Sequence, residues 1–274
     1  MSLLNWLKER RLPMQIAEKK TIAQYLLDAE RERREVVRVT VDYPELNVEN
    51  AYAVQEELVR MKCEENLSIV GLKIGLTSRA KMEQMGVEEP IYGYLFNNML
   101  LENYGELSFG TCIHPKVEAE IAFILDKDIE GPGVTGAQVL AATEYVVPAL
   151  EIIDSRYENF RFTLPDVIAD NASASRVVFG NSLTRPDRID LDLVGMVLNI
   201  NGKAREMAAG AAVLGHPAHA IAALANMLGR KGETLKTGQI ILAGAVTEAV
   251  RIDIGDIVQA KMDGLGDVGF TVVD

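Results

Sequence analysis

The chain has 274 residues, 48% of them hydrophobic and 25% charged, an ordinary globular balance with enough length for a substantial core. That balance excludes a disordered or fibrous chain. With 40 acidic against 28 basic residues the net charge is −12, which argues against general nucleic-acid binding, since phosphate neutralisation needs a basic face.

Residues 1–40 hold nine basic and six acidic side chains, so the acidic excess belongs to the rest of the chain. Residues 1–20 place their charges after a short apolar stretch and lack the apolar segment and cleavage site of a secretory signal. No uninterrupted apolar run of about 18 residues occurs, so no membrane span is expected. Two cysteines, Cys63 and Cys112, are too few for a disulfide framework or a four-thiolate metal site, and they fit a reducing, cytoplasmic setting.

The region 1–70 reads as helical. Ile16, Ala17, Ile22, Ala23, Leu26 and Leu27 recur at helical spacing among charges. A second helix is expected over Val48–Cys63, with Ala51, Val54, Leu58 and Met61 on one stripe and Asn47 or Asn50 as cap. Thr40–Leu46, with Pro44, connects the two. From Ile69 the texture changes to short β-rich runs broken by glycine. Strands are expected at Ile69–Leu76, Glu118–Leu125, Tyr145–Ile153, Val177–Phe179, Met196–Ile200, Gln239–Ala243, Ile257–Met262 and Gly269–Val273. Helices are expected at Ser78–Gln84, Gly136–Ala142 and Pro217–Leu228. Many irregularly spaced strands with few helices predict an α+β fold: a helical region 1–70 and a β-rich catalytic domain 71–274.

Gly264–Gly269 matches the G-x-G-x-x-G dinucleotide fingerprint, but the fingerprint needs a following helix to hold the pyrophosphate. Only five residues follow, and they read as strand, so this is a turn between strands. Neither a phosphate-binding G-x-x-x-x-G-K-[ST] loop nor H-E-x-x-H, G-x-S-x-G or C-x-x-C occurs.

A carboxylate constellation remains. In a strand, residues i and i+2 share a face, so Glu118 and Glu120 present two carboxylates side by side, with Ala119 and Ile121 opposite. Glu151 sits in a second strand between Leu150 and Ile152. Like charges this close repel unless a cation intervenes, and a hard divalent ion suits oxygen ligands. Taken alone the doublet reads rather as the solvent face of an edge strand, because E-x-E is common. Lys73 is a lone cation in the apolar, glycine-flanked run Val70–Leu76. It should face a carboxylate cluster or an anionic ligand, or else snorkel from an edge strand. Asp170, Asn171 and Ser173 belong to a polar cluster that reads as a ligand loop or a plain turn. Gly210–Pro217 and the stretch around Gly244 are places where backbone amides can approach a ligand closely. His114 and His216 each precede proline and read as turn residues.

Five motifs in order carry a resemblance: G-L-K-I-G-L-T-S at Gly71–Ser78, H-P-K-V-E-A-E at His114–Glu120, P-A-L-E-I-I-D-S-R at Pro148–Arg156, A-D-N-A-S at Ala169–Ser173, and G-A-A-V-L-G-H-P at Gly210–Pro217. Together, across residues 40–274, the chain resembles the hydratase/decarboxylase branch of the fumarylacetoacetate hydrolase superfamily. The stretches around Lys81–Gly93 and Asp154–Phe160 are more similar to its decarboxylases than to its hydratases. The resemblance implies a rolled, curved mixed β-sheet, a homo-oligomer, and Mg²⁺ or Mn²⁺ held by Glu118, Glu120 and Glu151. It implies Lys73 as the catalytic residue beside a small 2-oxo dicarboxylic acid substrate. Substrate contacts are expected from Asp170, Asn171, Ser173, Gly244, Arg156 and Tyr157, with Tyr92 helping to shape the far end of the pocket. The implied reaction is decarboxylation of 2-oxo-3-hexenedioate to 2-hydroxypenta-2,4-dienoate in meta-cleavage breakdown of aromatic compounds, with a related dienoate hydratase as a partner. The alternative is hydration of that dienoate. A C–C hydrolase would need a His–carboxylate dyad, which the N-terminal part does not display, and a non-catalytic scaffold is disfavoured by the three glutamates with Lys73. Ala243 stands where the family often has threonine before the glycine, with Thr247 nearby.

Overall fold

The computed structural model describes residues 14–79, 82–83 and 86–274. The helix expected at Ser78–Gln84 falls partly outside the described residues, as do Lys81, Gln84 and Met85 of the sequence motif.

Two helices open the described chain: α1 (Ile16–Glu32) and α2 (Val48–Glu64). Asn47 caps α2 by accepting the Asn50 backbone N–H at 2.9 Å. The helices pack on each other through apolar stripes that include Ile22, Leu26, Val54 and Leu58, and Lys62 of α2 pairs with Glu30 of α1 at 2.6 Å. Gln55, fully buried, ties α2 to the β-rich part: its Nε2 donates to the Tyr92 carbonyl at 2.9 Å and the Ile168 carbonyl at 3.0 Å.

A mixed sheet forms the centre. Its strands are β1 (Ile69–Gly75), β2 (Ile91–Phe96), β3 (Leu100–Leu101), β5 (Lys116–Leu125), β6 (Thr143–Ile153), β7 (Ala174–Phe179), β10 (Ile240–Leu242) and β11 (Val250–Arg251). Their order is β2-β1-β10-β5-β6-β7-β3, with β11 also pairing β5. β1–β10 and β3–β7 are parallel and the other ladders antiparallel. A second sheet runs β4-β13-β12-β8-β9, from β4 (Gly105–Ser108), β8 (Gly195–Ile200), β9 (Lys203–Ala209), β12 (Ile257–Met262) and β13 (Gly266–Val273). The fold is α+β with a curled mixed sheet. Three further α-helices are α3 (Gly136–Ala141), α4 (Leu164–Ala169) and α5 (Pro217–Gly229), and short 3₁₀ turns lie between the elements. The apolar stretch Gly210–Gly229 has the length and composition of a membrane span, but α5 is a 13-residue core helix with Ile221, Leu224 and Ala225 fully buried.

The expected strands are all present, and β13 begins three residues earlier than expected, inside the glycine turn. Strands β2, β3, β4, β9 and β11 lie outside the expected set. Gly93 interrupts the apolar run of β2, and a Cβ there would lie 2.5 Å from the Asn171 carbonyl oxygen, so the glycine admits a neighbouring loop. Strand β9 is an edge, paired only to β8, and its exposed K-A-R-E-M-A-A sequence lacks an alternating apolar face.

Candidate metal centre and cavity

Residues Glu118 and Glu151 face each other directly across the β5–β6 ladder, and Glu120 is opposite Ala149. One carboxylate oxygen from each of the three glutamates lies within 4.8 Å of the others. All three are buried; Glu120 and Glu151 are fully so. Both faces of this central strand pair are covered, so the edge-strand explanation of the doublet fails. Ala119 and Ile121, on the opposite face, sit in the core.

Lys73 enters the same cluster from β1. Its register partner in β10, Leu242, pairs in turn with Ala122 of β5, which puts Lys73 on the face of Glu118 and Glu120. The ammonium is 3.2 Å from Glu151 Oε2 and donates to the Ala172 carbonyl at 3.1 Å. Burial alone would push the Lys73 pKa down, but Glu151, Glu120 and Glu118 outweigh it and hold it above the ordinary lysine value. Burial raises the Glu120 pKa well above the usual carboxylate range, and neighbouring Glu151 adds to it. Burial likewise raises Glu151, against the pull of Lys73.

Among the described residues, Lys73 is the cation placed against the two fully buried carboxylates, Glu120 and Glu151. Glu120 Oε2 accepts the Gly244 backbone N–H at 2.9 Å and Glu151 Oε2 has the Lys73 ion pair, while Glu120 Oε1 and Glu151 Oε1 have no hydrogen-bond partner among the described residues. Fully buried oxygens left without donors are costly, and a hard divalent cation would satisfy them without any rearrangement of the strands. The donor set therefore fits such an ion. Gly244 is required where it stands: its φ is +105°, and a Cβ would meet Thr77 at 2.4 Å.

Glu118 and Lys73 line a cavity of about 240 Å³. Thr77, Ser78 and Ser173 contribute hydroxyls to its wall, and Ile91, Phe160, Phe162 and Val167 supply apolar surface. The Ser173 hydroxyl is buried with no partner. It is delivered by a backbone rarity, three consecutive left-handed residues: Asn171, Ala172 and Ser173 with φ of 50°, 51° and 58°. Such residues cost about 1–2 kcal/mol each, so surrounding structure must hold them. Asn171 does so. Its side chain clamps β2, accepting the Tyr94 N–H at 2.8 Å and donating to the Tyr94 carbonyl at 2.9 Å.

Several expected substrate contacts are used elsewhere. Arg156 is buried and ion-paired to the fully buried Asp170, and it also donates to the Asp154 carbonyl at 2.7 Å. The Tyr157 hydroxyl donates to the Asp166 carbonyl at 2.9 Å. None of Arg156, Tyr157, Asp170 and Asn171 lines the cavity; they brace the turn that presents Ser173. Thr247 is likewise occupied, accepting the Ala119 N–H at 3.1 Å. Tyr92 points away, stacked on Tyr52 at 4.6 Å in a separate cleft of about 420 Å³ whose cations, Arg230 and Lys231, are paired to Glu89 and Glu56. Its neighbour Ile91 reaches the cavity instead. His216 caps α5, its Nδ1 accepting the Ala218 N–H at 3.1 Å. Sequence reasoning passed over Thr77, Ser78 and Phe162; the first two lie in the quoted G-L-T-S motif, while Phe162 carried no signal.

The family model for the fumarylacetoacetate (FAA) hydrolase C-terminal domain matches residues 73–273. The chain belongs to the FAA hydrolase family. It is 45% identical over 247 residues to 4-oxalocrotonate decarboxylase of Pseudomonas putida, covering 90% of this chain and 94% of that one. It is 38% identical to 2-hydroxyhexa-2,4-dienoate hydratase of Comamonas testosteroni, over 90% and 94% of the two chains. Among solved structures, 4-oxalocrotonate decarboxylase from Pseudomonas putida G7, complexed with magnesium and adipate, superposes with a TM-score of 0.93 at 42% identity, covering 95% of this chain and 99% of that one.

Two outcomes follow from the electrostatics of this FAA hydrolase centre. Because burial raises the folded-state pKa values of Glu120 and Glu151, their contribution to stability is complete below the ordinary carboxylate range and lost as pH rises through the raised values. The melting temperature of the metal-free chain should therefore fall as pH rises above the ordinary carboxylate range, less so in Glu120→Gln, and added Mg²⁺ should stabilise most at the higher pH. A wild-type profile identical to that of the variant would contradict this. Arg156→Met, which strands Asp170 as a buried unpaired charge, should cost about 3–5 kcal/mol in urea unfolding. A loss below about 1 kcal/mol, within the scatter of ordinary substitutions, would show that the pair does not brace the turn.

Proposed function

We propose that the chain is a divalent-cation-dependent decarboxylase that converts 2-oxo-3-hexenedioate (4-oxalocrotonate) to 2-hydroxypenta-2,4-dienoate and CO₂, with Mg²⁺ or Mn²⁺ held by Glu118, Glu120 and Glu151. The observation that carries this reading is a cavity that combines a charged and an apolar lining next to the glutamate cluster. Glu118 and Lys73 supply the charged lining, and Phe160, Phe162 and Val167 are among the apolar residues of the wall. A relative bearing that enzyme's name, and a solved relative holding magnesium with a six-carbon dicarboxylate, support it.

Glu118, Glu120 and Glu151 would hold the cation, which would supply Lewis-acid polarisation of the substrate's C2 carbonyl, the electron sink of the reaction. The C5–C6 bond then breaks. Its electron pair forms the C4–C5 double bond, the C3–C4 pair shifts to C2–C3, and the C2 carbonyl pair moves onto oxygen, while C6 leaves as CO₂. Lys73 is poised to stabilise the negative charge that develops on the C2 oxygen, since its ammonium is fixed by Glu151 and the Ala172 carbonyl. The Ser173 hydroxyl, buried without a protein partner, is available to donate to the substrate's carboxylate end. The apolar walls leave the departing carboxylate poorly solvated and keep water from the dienolate terminus.

Hydration of the dienoate is the second reading, favoured by the 38% identical hydratase. It needs a base to activate water at the alkene terminus. Among the described residues lining the cavity, Lys73 and Glu118 are the titratable ones, and both belong to the charged lining. A homo-oligomer in the cytoplasm, passing its dienoate to a related hydratase within meta-cleavage catabolism, belongs to the same proposal.

The purified chain with Mg²⁺ should release CO₂ from 2-oxo-3-hexenedioate and stop on chelation. Lys73→Met should lower kcat by about 100-fold or more, with a smaller change in KM. Efficient hydration of 2-hydroxypenta-2,4-dienoate with the hexenedioate left intact would establish the second reading instead.

A further inference from the structure

A histidine–carboxylate pair absent from the sequence reading lies beside the cavity. His114 Nδ1 is 2.7 Å from Glu35 Oε1, and the two residues are 79 positions apart. Neither lines the cavity, so the pair is no water-activating dyad for bound substrate. Both instead act on one short turn. Glu35 Oε1 also accepts the Asn159 backbone N–H at 3.2 Å, and the His114 ring lies 5.1 Å from the Phe160 ring. Phe160 lines the cavity.

The turn needs this support. Asn159 and Phe160 are both left-handed, with φ of 55° and 58°, a conformation that a bulky aromatic residue rarely holds unaided. The clamp itself is anchored: the Ile113 and His114 backbone N–H groups each donate to the Asp154 carboxylate at 2.8 Å. Next to Glu35, Val36 donates to the Arg156 carbonyl at 2.8 Å and accepts the Glu158 N–H at 3.0 Å. The Lys116 ammonium completes the enclosure, 4.0 Å from the centre of the Phe160 ring.

We infer that Glu35 and His114 are positioning residues that lock Phe160 as the end wall of the cavity, fixing its length for a six-carbon dicarboxylate and excluding water from the far end. This rests on the reading of the cavity as a dicarboxylate site. The charged lining is untouched by the clamp, so ligands confined to the cation should be indifferent to it, and longer diacids should not.

Calorimetry on the Mg²⁺-loaded full chain separates these cases, using oxalate as the short probe and adipate as the long one. Glu35→Ala should weaken adipate by about tenfold and leave oxalate within about twofold. Phe160→Ala should do the same, and the double variant should be no worse than either single one, because Glu35 acts through Phe160. Glu35→Gln, which retains an acceptor for the Asn159 N–H, should recover most of the affinity. Unchanged adipate binding in Glu35→Ala, additive losses in the double variant, or parallel loss of oxalate and adipate would each overturn the inference. These binding readouts need no turnover, so failure of the decarboxylase reading would appear separately, as wild-type chain that binds adipate but releases no CO₂ from the hexenedioate.

Discussion

Everything in the catalytic half depends on the burial of carboxylates at the middle of a sheet: Glu118, Glu120 and Glu151 converge there, and Glu120 and Glu151 are fully buried beside Lys73. Burying an unpaired carboxylate is among the most expensive acts in folding, and hydrogen bonds from the protein do not cover the cost here. The strands that carry the arrangement are enclosed by buried apolar side chains. Leu150 and Ile152 flank Glu151, Ala119 and Ile121 flank Glu120, and all four are fully buried. An ion is thus invited to a place the backbone has already fixed, which is how a metal site acquires a defined geometry before its metal arrives.

The same economy explains the loop after α4. A left-handed run at Asn171–Ser173 would unwind in isolation, yet the Asn171 clamp on Tyr94 and the Arg156–Asp170 pair hold it from two sides. Its products are two small things at the cavity: the Ala172 carbonyl that aims Lys73 and the Ser173 hydroxyl. Residues that looked like ligand contacts are therefore the frame behind the contacts. Gly93 and Gly244 serve the same end by admitting backbone where a side chain would collide.

The period of two in β5 made the Glu118–Glu120 doublet legible in the sequence, because alternation alone puts both on one face. Their meeting with Glu151 depends on register, which no local pattern encodes, and here the ordered motifs of the family carried the expectation. A lone lysine in an apolar strand was legible as an anomaly, and its partners were not. Asp170 was visible in a polar cluster, and Arg156 and Tyr157 in the separate stretch after Glu151, but whether such groups face a ligand or each other is decided by tertiary packing. Strand β2 was obscured by Gly93 and β9 by the polarity of an edge. Glu35 with His114 was out of reach for the same reason as Glu151: the contact joins the first helical region to a loop far along the chain.

The central claim is that the three glutamates form one cation site that compensates their own burial. Calorimetric titration of the metal-free chain with Mg²⁺ tests it most directly, comparing wild type with Glu118→Gln, Glu120→Gln and Glu151→Gln. Wild type should take up one ion per chain, and each variant should bind at least about tenfold more weakly while remaining folded. Undiminished stoichiometric binding in all three variants would contradict the assignment.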